Sequence, residues 1–335
     1  MTERTDIMPA PAFRLGRGLG FPAGLALVAV IGALLPGLAG SPLLTTLLTQ
    51  GTITAILATG VGFLIRQNGL VSFGHALFYG GAAYLVALAM EHDVVSTEVA
   101  VIAAIVLPTI FAFLIAFIML RVAGVAFSML TLAVAQAGFE LVMRWRSLAN
   151  GEDGIAVRLP ETVFGIPVSV FQRPESMFLI CWGVLMVILL GLWLLGRSHF
   201  GTLTLAIQGN EERARFIGYE TMVPRALVYA LSAGIAAIGG VLFAGYNGFV
   251  TPDTTHWTHS GEALVMAIIG GARTVWGPAL GAMLYFFVRD AAGSITDHWP
   301  AIIGVTLIIV TVALPSGIGG AIGNLARRAF GGRHG

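Results

Sequence analysis

Few residues of this chain have the types and spacing that catalysis or metal binding requires. The seven histidines are scattered, and neither an HExxH motif nor a catalytic pair of carboxylates accompanies them. His256 and His259 flank Trp257, but two histidines alone are a weak metal signal. Cys181 is the only cysteine, which excludes an intrachain disulfide and a cysteine metal cluster. The sequence therefore predicts no catalytic site, no metal site and no cofactor on this chain.

The basic residues are of one type, since all 18 of them are arginine. A Walker A loop needs a lysine to reach the phosphates of ATP, and this chain contains none. If ATP drives the protein, another subunit must therefore bind the nucleotide and its Mg²⁺. The net charge of +1 predicts no strong electrostatic attraction to nucleic acid.

Two ionisable residues at the starts of apolar runs, His75 and Glu262, are candidates for a polar site. Titratable groups at membrane depth are functional candidates by default. Glu262 also has a structural alternative: a helix that starts after Ser260 and Gly261 would be stabilised by a carboxylate in its first turn. Both interpretations stay open at this point.

A second polar group follows one helix face, where Gln136, Glu140 and Arg144 are spaced four residues apart. Oppositely charged side chains at this spacing are neighbours on a helix surface. The spacing favours a structural ion pair between Glu140 and Arg144. Gln136 stays a candidate for the lining of a polar path.

These residues are set in a chain that is 57% hydrophobic and only 10% charged. Soluble domains usually contain about 25% charged residues. Repeated apolar runs of bilayer length predict an all-α, polytopic membrane protein of about ten transmembrane segments embedded in lipid. The predicted segments are 21–39, 43–65, 69–90, 97–120, 122–143, 177–196, 226–250, a short segment at 261–272, 275–292 and 299–315.

The short segment at 261–272 cannot cross a bilayer alone and is predicted to be a half-helix or broken span. Its sequence, within Ser260–Ala272, shares a Gly, polar, Ala, Leu pattern and a final Gly-Gly-Ala with Ser72–Ala82. The two copies would open segments that run in opposite directions. This predicts an inverted repeat of 43–143 and 226–315, an arrangement that many transporters use.

Arginine asymmetry predicts the orientation, since 13 arginines would face the cytoplasm and five the outside if the N-terminus is cytoplasmic. Both chain ends are then cytoplasmic, as tails at 1–20 and 321–335 around a membrane domain at 21–320. The longest outer loop would be 150–176, where three prolines favour an extended structure over a helix and which could receive a soluble partner.

The segment 197–225 is the most polar interruption between apolar runs, with four arginines, and falls on the cytoplasmic side. Asn210 can cap a following helix. We therefore predict two short helices with Gly209–Asn210 as the corner, the second of them at Glu211–Phe216.

A stripe of small residues runs along the segment at 226–250 with a strict spacing of four. Such a stripe allows close approach of a neighbouring helix. The prediction is helix packing rather than a binding site. The stripe consists of Ser232, Ala236, Gly240, Ala244 and Gly248.

Five stretches together resemble the LivM-like permease subunit of bacterial branched-chain amino acid ABC importers. The likeness spans most of the chain after about residue 40, and the third and fourth stretches are the most specific. One departure is Arg273, where such permeases typically have glycine, which affects the predicted helix break. The stretches are GLVSFGHALFYGGAAY (69–84), GVAFSMLTLAVAQ (124–136), GTLTLAIQGNEERARFIGYE (201–220), SGEALVMAIIGGARTVWGPALGA (260–282) and ALPSGIGG (313–320).

The resemblance implies an inner-membrane permease that does no chemistry itself. Its implied partners are a second permease subunit, two ATP-binding subunits and a periplasmic solute-binding protein that delivers branched-chain amino acids. Segment 197–225 would contact an ATP-binding subunit. The expected coupling residues are Gly201, Ala206, Asn210, Glu211, Arg213, Ala214 and Gly218.

The translocation path is expected to be lined by small and aromatic residues with a few polar groups. A urea or short-amide permease is an alternative within the ABC class, and an ATP-independent secondary transporter or channel is an alternative outside it. The expected path residues are Phe73, His75, Thr131, Gln136, Glu262, Gly270 and Gly271.

Overall fold

The computed structural model describes residues 20–93 and 95–330, and within them it is almost entirely helical. The predicted tail at 1–20 therefore lies outside the described residues except for Gly20, and so does 331–335. The helices are α1 Gly20–Ala39, α2 Pro42–Asn68, α3 His75–Glu91, α4 Thr97–Met119, α5 Val125–Arg144, α6 Arg146–Ala149, α7 Val168–Gln172, α8 Pro174–Arg197, α9 His199–Gly209, α10 Glu211–Phe216, α11 Met222–Asn247, α12 Trp257–Gly270, α13 Gly277–Gly293, α14 Trp299–Ala313 and α15 Gly317–Phe330. The strands are β1 Ile155–Ala156, β2 Thr162–Val163, β3 Ile166–Pro167 and β4 Phe249–Val250.

Seven segments of the described chain are long and apolar enough to cross a membrane. They comprise α1, α2, α4, α5, α8, α11 and a final stretch that starts with α14. Three predicted spans correspond to shorter helices, with 17 residues in α3, 14 in α12 and 17 in α13. The all-α membrane architecture is confirmed, and ten complete crossings remain a prediction.

Helix α2 lies at the centre of the bundle and packs against α8, α11, α12 and α13. Pro42 suits its first turn, where a missing N–H costs no hydrogen bond. Gly69 ends the helix with φ +67°, a conformation that favours glycine. Several buried or partly buried threonines donate their hydroxyls to carbonyls one turn earlier in the same helix. These bonds include Thr49 to Thr45, Thr52 to Leu48, Thr54 to Gln50 and Thr59 to Ala55, at 2.7 to 2.8 Å.

Helix α11 packs against α2, α3 and α4, and its stripe of small residues contacts α2 and α3. A Cβ at Gly240 would overlap the carbonyl oxygen of Tyr79 on α3, so only glycine allows this approach. Ala236 and Ala244 are fully buried. The packing prediction is confirmed as far as Ala244, because Gly248 instead ends the helix with φ +66°.

The predicted helix break lies between α12 and α13, which meet through glycines. A Cβ at Gly270 would overlap the carbonyl oxygen of Gly277, and Gly271 has φ +92°. A Cβ at Gly281 would overlap the carbonyl oxygen of Met266. Arg273 is exposed in the connecting turn. Its long side chain is therefore compatible with the break, despite the departure from the expected glycine.

The two similar stretches touch, because the Ala76 amide donates to Ser260 Oγ at 2.7 Å. Their local structures differ, however. Ser72 precedes helix α3, which begins at His75, whereas Ser260 lies inside α12, which begins at Trp257. The inverted repeat therefore remains a prediction.

The loop at 150–176, predicted to lie on the outer side, is more structured than the sequence predicts. Strand β1 pairs with β4 in antiparallel register, with Ile155 opposite Val250, and β2 pairs with β3 in a hairpin. The Phe164 amide at the hairpin turn donates to Glu98 of α4 at 3.2 Å. The expectation of extended structure is wrong at α7, and the loop ends at Arg173 because Pro174 opens α8 as a first-turn proline.

Candidate coupling segment and polar cavity

The polar segment 197–225 forms the predicted pair of short helices. Ser198 caps α9 by accepting a hydrogen bond from the Gly201 amide, and Asn210 caps α10 by accepting one from the Arg213 amide at 2.8 Å. Capping by serine and asparagine satisfies amides that have no partner within the helix. The corner at Gly209–Asn210 is therefore confirmed.

Two polar contacts join this segment to the end of helix α2. The Thr204 hydroxyl of α9 donates to Gln67 Oε1 at 2.9 Å, and Asn68 Nδ2 donates to the Arg225 carbonyl oxygen at 3.0 Å. Gln67, Asn68 and Thr204 are buried. Leaving these buried polar groups without partners would cost folding free energy. The two hydrogen bonds therefore hold α9 and the start of α11 to the central helix.

Glu211 organises the second short helix through two ion pairs. Its carboxylate lies 2.5 Å from the Arg225 guanidinium and 2.6 Å from that of Arg215, and it accepts a hydrogen bond from Thr221 at 2.9 Å. Partial burial alone would raise the pKa of Glu211. The Thr221 hydrogen bond and the charges of Arg225 and Arg215 outweigh burial, so this pKa is lowered below 4.5.

The lowered pKa predicts that acid loosens α10. A carboxyl group whose pKa is depressed by folding stabilises the fold above the unfolded pKa, and this stability is lost as pH falls through the folded value. Amide hydrogen exchange over 211–221, corrected for its intrinsic pH dependence, should therefore accelerate in acid. Glu211→Gln should show the faster exchange already at pH 7, whereas Glu212→Gln, an exposed neighbour, should match the wild type. Equal exchange in wild type and Glu211→Gln at pH 7 would contradict the prediction.

The predicted coupling residues divide by exposure. Ala206, Asn210, Arg213 and Gly218 are exposed and available to a partner. Gly201 and Ala214 are buried, which suits packing of the segment itself. A Cβ at Gly201 would overlap the Leu195 carbonyl oxygen at the corner between α8 and α9.

The sequence interpretation missed an apolar surface at the end of α10 and in the residues that follow it. Phe216 is 89% exposed, Ile217 68% and Tyr219 53%, next to the exposed Arg213. Large exposed apolar side chains in a polar segment are typical of protein interfaces. The available signal was the apolar Phe-Ile pair that follows the charged residues of α10.

A cavity of about 380 Å³ lies among α2, α12 and α13, with contributions from α3 and α11. This volume is within the range of about 300–1,000 Å³ that small-molecule sites occupy. The cavity lies toward the start of α2, whereas segment 197–225 contacts the end of that helix. Its lining residues are Leu47, Gln50, Ile53, Thr54, Leu57, Tyr79, Phe243, Thr254, His259, Glu262, Met266, Phe286, Arg289 and Asp290.

The charged part of the cavity is centred on Glu262. Arg289 Nη1 lies 3.2 Å from Glu262 Oε2 and 3.4 Å from Oε1, and His259 Nδ1 lies 3.8 Å from Oε2. The Arg289 guanidinium also lies over the Trp299 ring, 4.7 Å from its centroid. Because α12 begins at Trp257, Glu262 is in the second turn, so the prediction that it lies at the helix start is wrong.

The other predicted path residues lie outside this cavity. Phe73 and Thr131 are in contact, since the Phe73 amide donates to Thr131 Oγ1 at 3.1 Å, and Phe73 meets Trp257 edge to face. His75 is fully buried, with Nε2 3.0 Å from Ser232 Oγ. Gln136 lies within α5, where its Nε2 donates to Glu140 Oε1 at 3.5 Å.

Gly270 and Gly271 form the tight turn after α12, and Glu262 is the one predicted path residue that lines the cavity. The structural ion pair of α5 is confirmed, with Arg144 Nε 3.1 Å from Glu140. Arg289 was missed because 27 residues and a helix break separate it from Glu262. Among the described residues, no cluster of three or more histidine, cysteine or acidic side chains could hold a metal.

A helical membrane bundle with an exposed polar segment and a cavity that has a charged end and apolar walls has the architecture of a multi-pass transport protein. The chain belongs to the family of permease components of branched-chain amino acid transport systems, whose sequence model matches residues 43–311. This assignment makes the chain a permease component of an ABC importer, a class that works with other ABC subunits.

Among its relatives, the chain is 22% identical to the high-affinity branched-chain amino acid permease LivM of Escherichia coli K12, over 81% of this chain and 68% of that protein. It is 24% identical to the inner membrane ABC transporter permease YjfF of the same organism, over 84% and 86%. It is 33% identical to the autoinducer 2 permease LsrC of Salmonella typhi, over only 37% and 38%. No solved structure matches the chain significantly.

Proposed function

We propose that this chain is the inner-membrane permease subunit of an ATP-driven importer of branched-chain amino acids. The observation that carries the proposal is the cavity, which combines opposite charges with apolar walls. A branched-chain amino acid needs both, because it is a zwitterion with an aliphatic side chain. The similarity to LivM over 81% of this chain supports the same solute class.

Energy would come from two ATP-binding subunits that carry ATP and Mg²⁺. The absence of lysine supports this division, since this chain cannot form a Walker A loop. A periplasmic binding protein would deliver the solute, and a second permease subunit would complete the path. The exposed residues Arg213, Phe216 and Ile217 are the proposed contact with an ATP-binding subunit.

The proposed orientation has both chain ends in the cytoplasm. Arginines near the ends of spans face the cytoplasm in most membrane proteins, and 13 of 18 do so in this arrangement. Segment 197–225 is then cytoplasmic, where the ATP-binding subunits would be. The loop with β1, β2 and β3 then faces the periplasm and is the proposed docking site of the binding protein.

A second candidate solute is a small uncharged polar molecule, such as the autoinducer 2 named for LsrC or the urea considered above. The 33% identity to LsrC favours it, but that match covers only 37% of this chain. An ATP-independent transporter agrees less well with membership of this permease family. Copurification of ATP-binding subunits with this chain distinguishes the two mechanisms.

The experiment is leucine uptake by liposomes that hold the complete complex, with loaded binding protein outside and ATP inside. Uptake should require ATP and both ATP-binding subunits. A parallel assay with urea and with autoinducer 2 tests the second candidate. Uptake that persists without the ATP-binding subunits and follows an ion gradient would overturn the mechanism, and transport of urea or autoinducer 2 without leucine would overturn the solute class.

A further inference from the structure

We propose that the cavity among α2, α12 and α13 binds one aliphatic amino acid within a single permease chain, its zwitterionic head at Glu262 and Arg289. This inference rests on the proposed function and adds a defined binding site to it. The site would lie inside one subunit rather than between two. Its ligand class is an α-amino acid with an apolar side chain.

The Arg289 guanidinium has N–H groups that make no hydrogen bond to the described residues. Both contacts with Glu262 use Nη1, and no hydrogen bond from Nη2 or Nε to another described residue is found. A carboxylate binds arginine through two parallel N–H groups. The unused edge of Arg289 therefore suits the carboxylate of an amino acid, with Trp299 holding the guanidinium plane from one side.

Acidic groups beside Arg289 suit the ammonium group of the same ligand. Glu262 has 24% of its side chain exposed, and Asp290 lines the same cavity. An ammonium group donates three hydrogen bonds and is stabilised by carboxylates in a partly desolvated site. Positive and negative partners thus lie side by side, as the two charges of an α-amino acid do.

The rest of the cavity wall is apolar. Ile53, Leu57 and Met266 line it and are almost completely buried, whereas Glu262 and Arg289 are partly exposed. The cavity is therefore charged where water has access and apolar where it does not. A ligand with a charged head and a branched aliphatic tail matches this division.

Two neutral hydroxyls of the wall are already engaged within the protein. Thr54 donates its hydroxyl to the Gln50 carbonyl oxygen, and Thr254 donates its hydroxyl to that of Thr251, both within 2.8 Å. These hydroxyls have no proton left to donate to a ligand. The side-chain amide of Gln50 also lines the wall, so selectivity for an amino acid rests on the charged groups and the apolar walls.

The test is photolabelling of the wild-type complex in liposomes without ATP, using a leucine analogue with a side-chain diazirine. Its ammonium and carboxylate groups are intact. The expected label is on peptides containing Ile53–Leu57 or Met266, reduced at least tenfold by excess unlabelled leucine. Label found only elsewhere, or label in the cavity that leucine does not reduce, would overturn the inference.

A variant pair tests the role of the charge. Arg289→Gln should raise the KM for leucine uptake about tenfold to a hundredfold, as expected for losing a hydrogen bond to a charged group, and Arg289→Lys should restore part of this. The matched control is Arg144→Gln in the exposed Glu140–Arg144 pair, which should leave KM unchanged. An unchanged KM in Arg289→Gln would also overturn the inference.

The outcomes separate this inference from the proposed function. If the wild-type complex transports leucine but the cavity is not labelled, only the internal site fails. If the wild-type complex transports no leucine, both proposals fail. Stimulation of ATP hydrolysis by loaded binding protein should persist in Arg289→Gln, which distinguishes a lost ligand contact from a misfolded chain.

Discussion

Replacing Phe216 with aspartate is expected to weaken binding of the ATP-binding subunit about 30-fold or more. Loss of an aromatic anchor at an interface typically costs at least ~2 kcal/mol of binding free energy. Phe216 is 89% exposed and is the last residue of the capped helix α10, so the substitution removes little packing within the described chain. The measurement is copurification of the ATP-binding subunits, followed by ATP hydrolysis stimulated by loaded binding protein.

The matched control is Phe164→Asp, since Phe164 is another exposed phenylalanine, at the β2–β3 hairpin turn. It should copurify normally with the ATP-binding subunits. Arg213→Glu tests the neighbouring charge and should reduce stimulated ATP hydrolysis. Normal copurification and stimulation in both Phe216→Asp and Arg213→Glu would remove α10 from the proposed interface.

Replacing Gly240 with valine is expected to destabilise the bundle by more than ~3 kcal/mol, beyond the usual range for an overpacked core. The new Cβ would overlap the Tyr79 carbonyl oxygen, and backbone atoms cannot rotate away as a side chain can. Helices α3 and α11 would have to separate. The measurement is the thermal unfolding midpoint in detergent, together with the yield of monodisperse protein.

Gly245→Val is the matched control for that substitution. Gly245 lies on the same helix, and a Cβ there meets no atom within 4 Å. The intrinsic cost of valine in a helix is shared by both variants, so their difference isolates the contact with Tyr79. Equal unfolding midpoints for the two variants would show that α3 and α11 do not pack through Gly240 as described.

Local chemistry made segment 197–225 predictable from sequence. The corner at Gly209–Asn210 depends on a cap that reaches only three residues along the chain, from Asn210 to the Arg213 amide. The stripe through Gly240 was equally predictable, because its period of four matches one helix face. Such features need no knowledge of which helices are neighbours.

The cavity was not predictable, because it depends on how separate helices pack. Glu262 and Arg289 meet only after the glycine turn reverses the chain between α12 and α13. His75 shows the same dependence, since its partner Ser232 is 157 positions away. The sequence interpretation took Ser260 as the residue that precedes the helix, which placed Glu262 in the first turn. Helix α12 instead begins at Trp257, three residues before Ser260.

The threonines of α2 have a mechanical consequence. Thr49 adds a long contact of 3.5 Å to the Pro174 carbonyl oxygen, whereas Thr52, Thr54 and Thr59 bond only to carbonyls of their own helix and do not hold α2 to its neighbours. The helix is fastened instead at Gln67 and Asn68, beside segment 197–225. Along the middle of α2, close contacts rather than these hydroxyls fix its position, because a Cβ at Gly60 would meet the Ser232 carbonyl oxygen and one at Gly62 would overlap Pro278. Hydrogen bonds at one end and glycine contacts in the middle thus locate a helix of about 40 Å, from its 27 residues at 1.5 Å each.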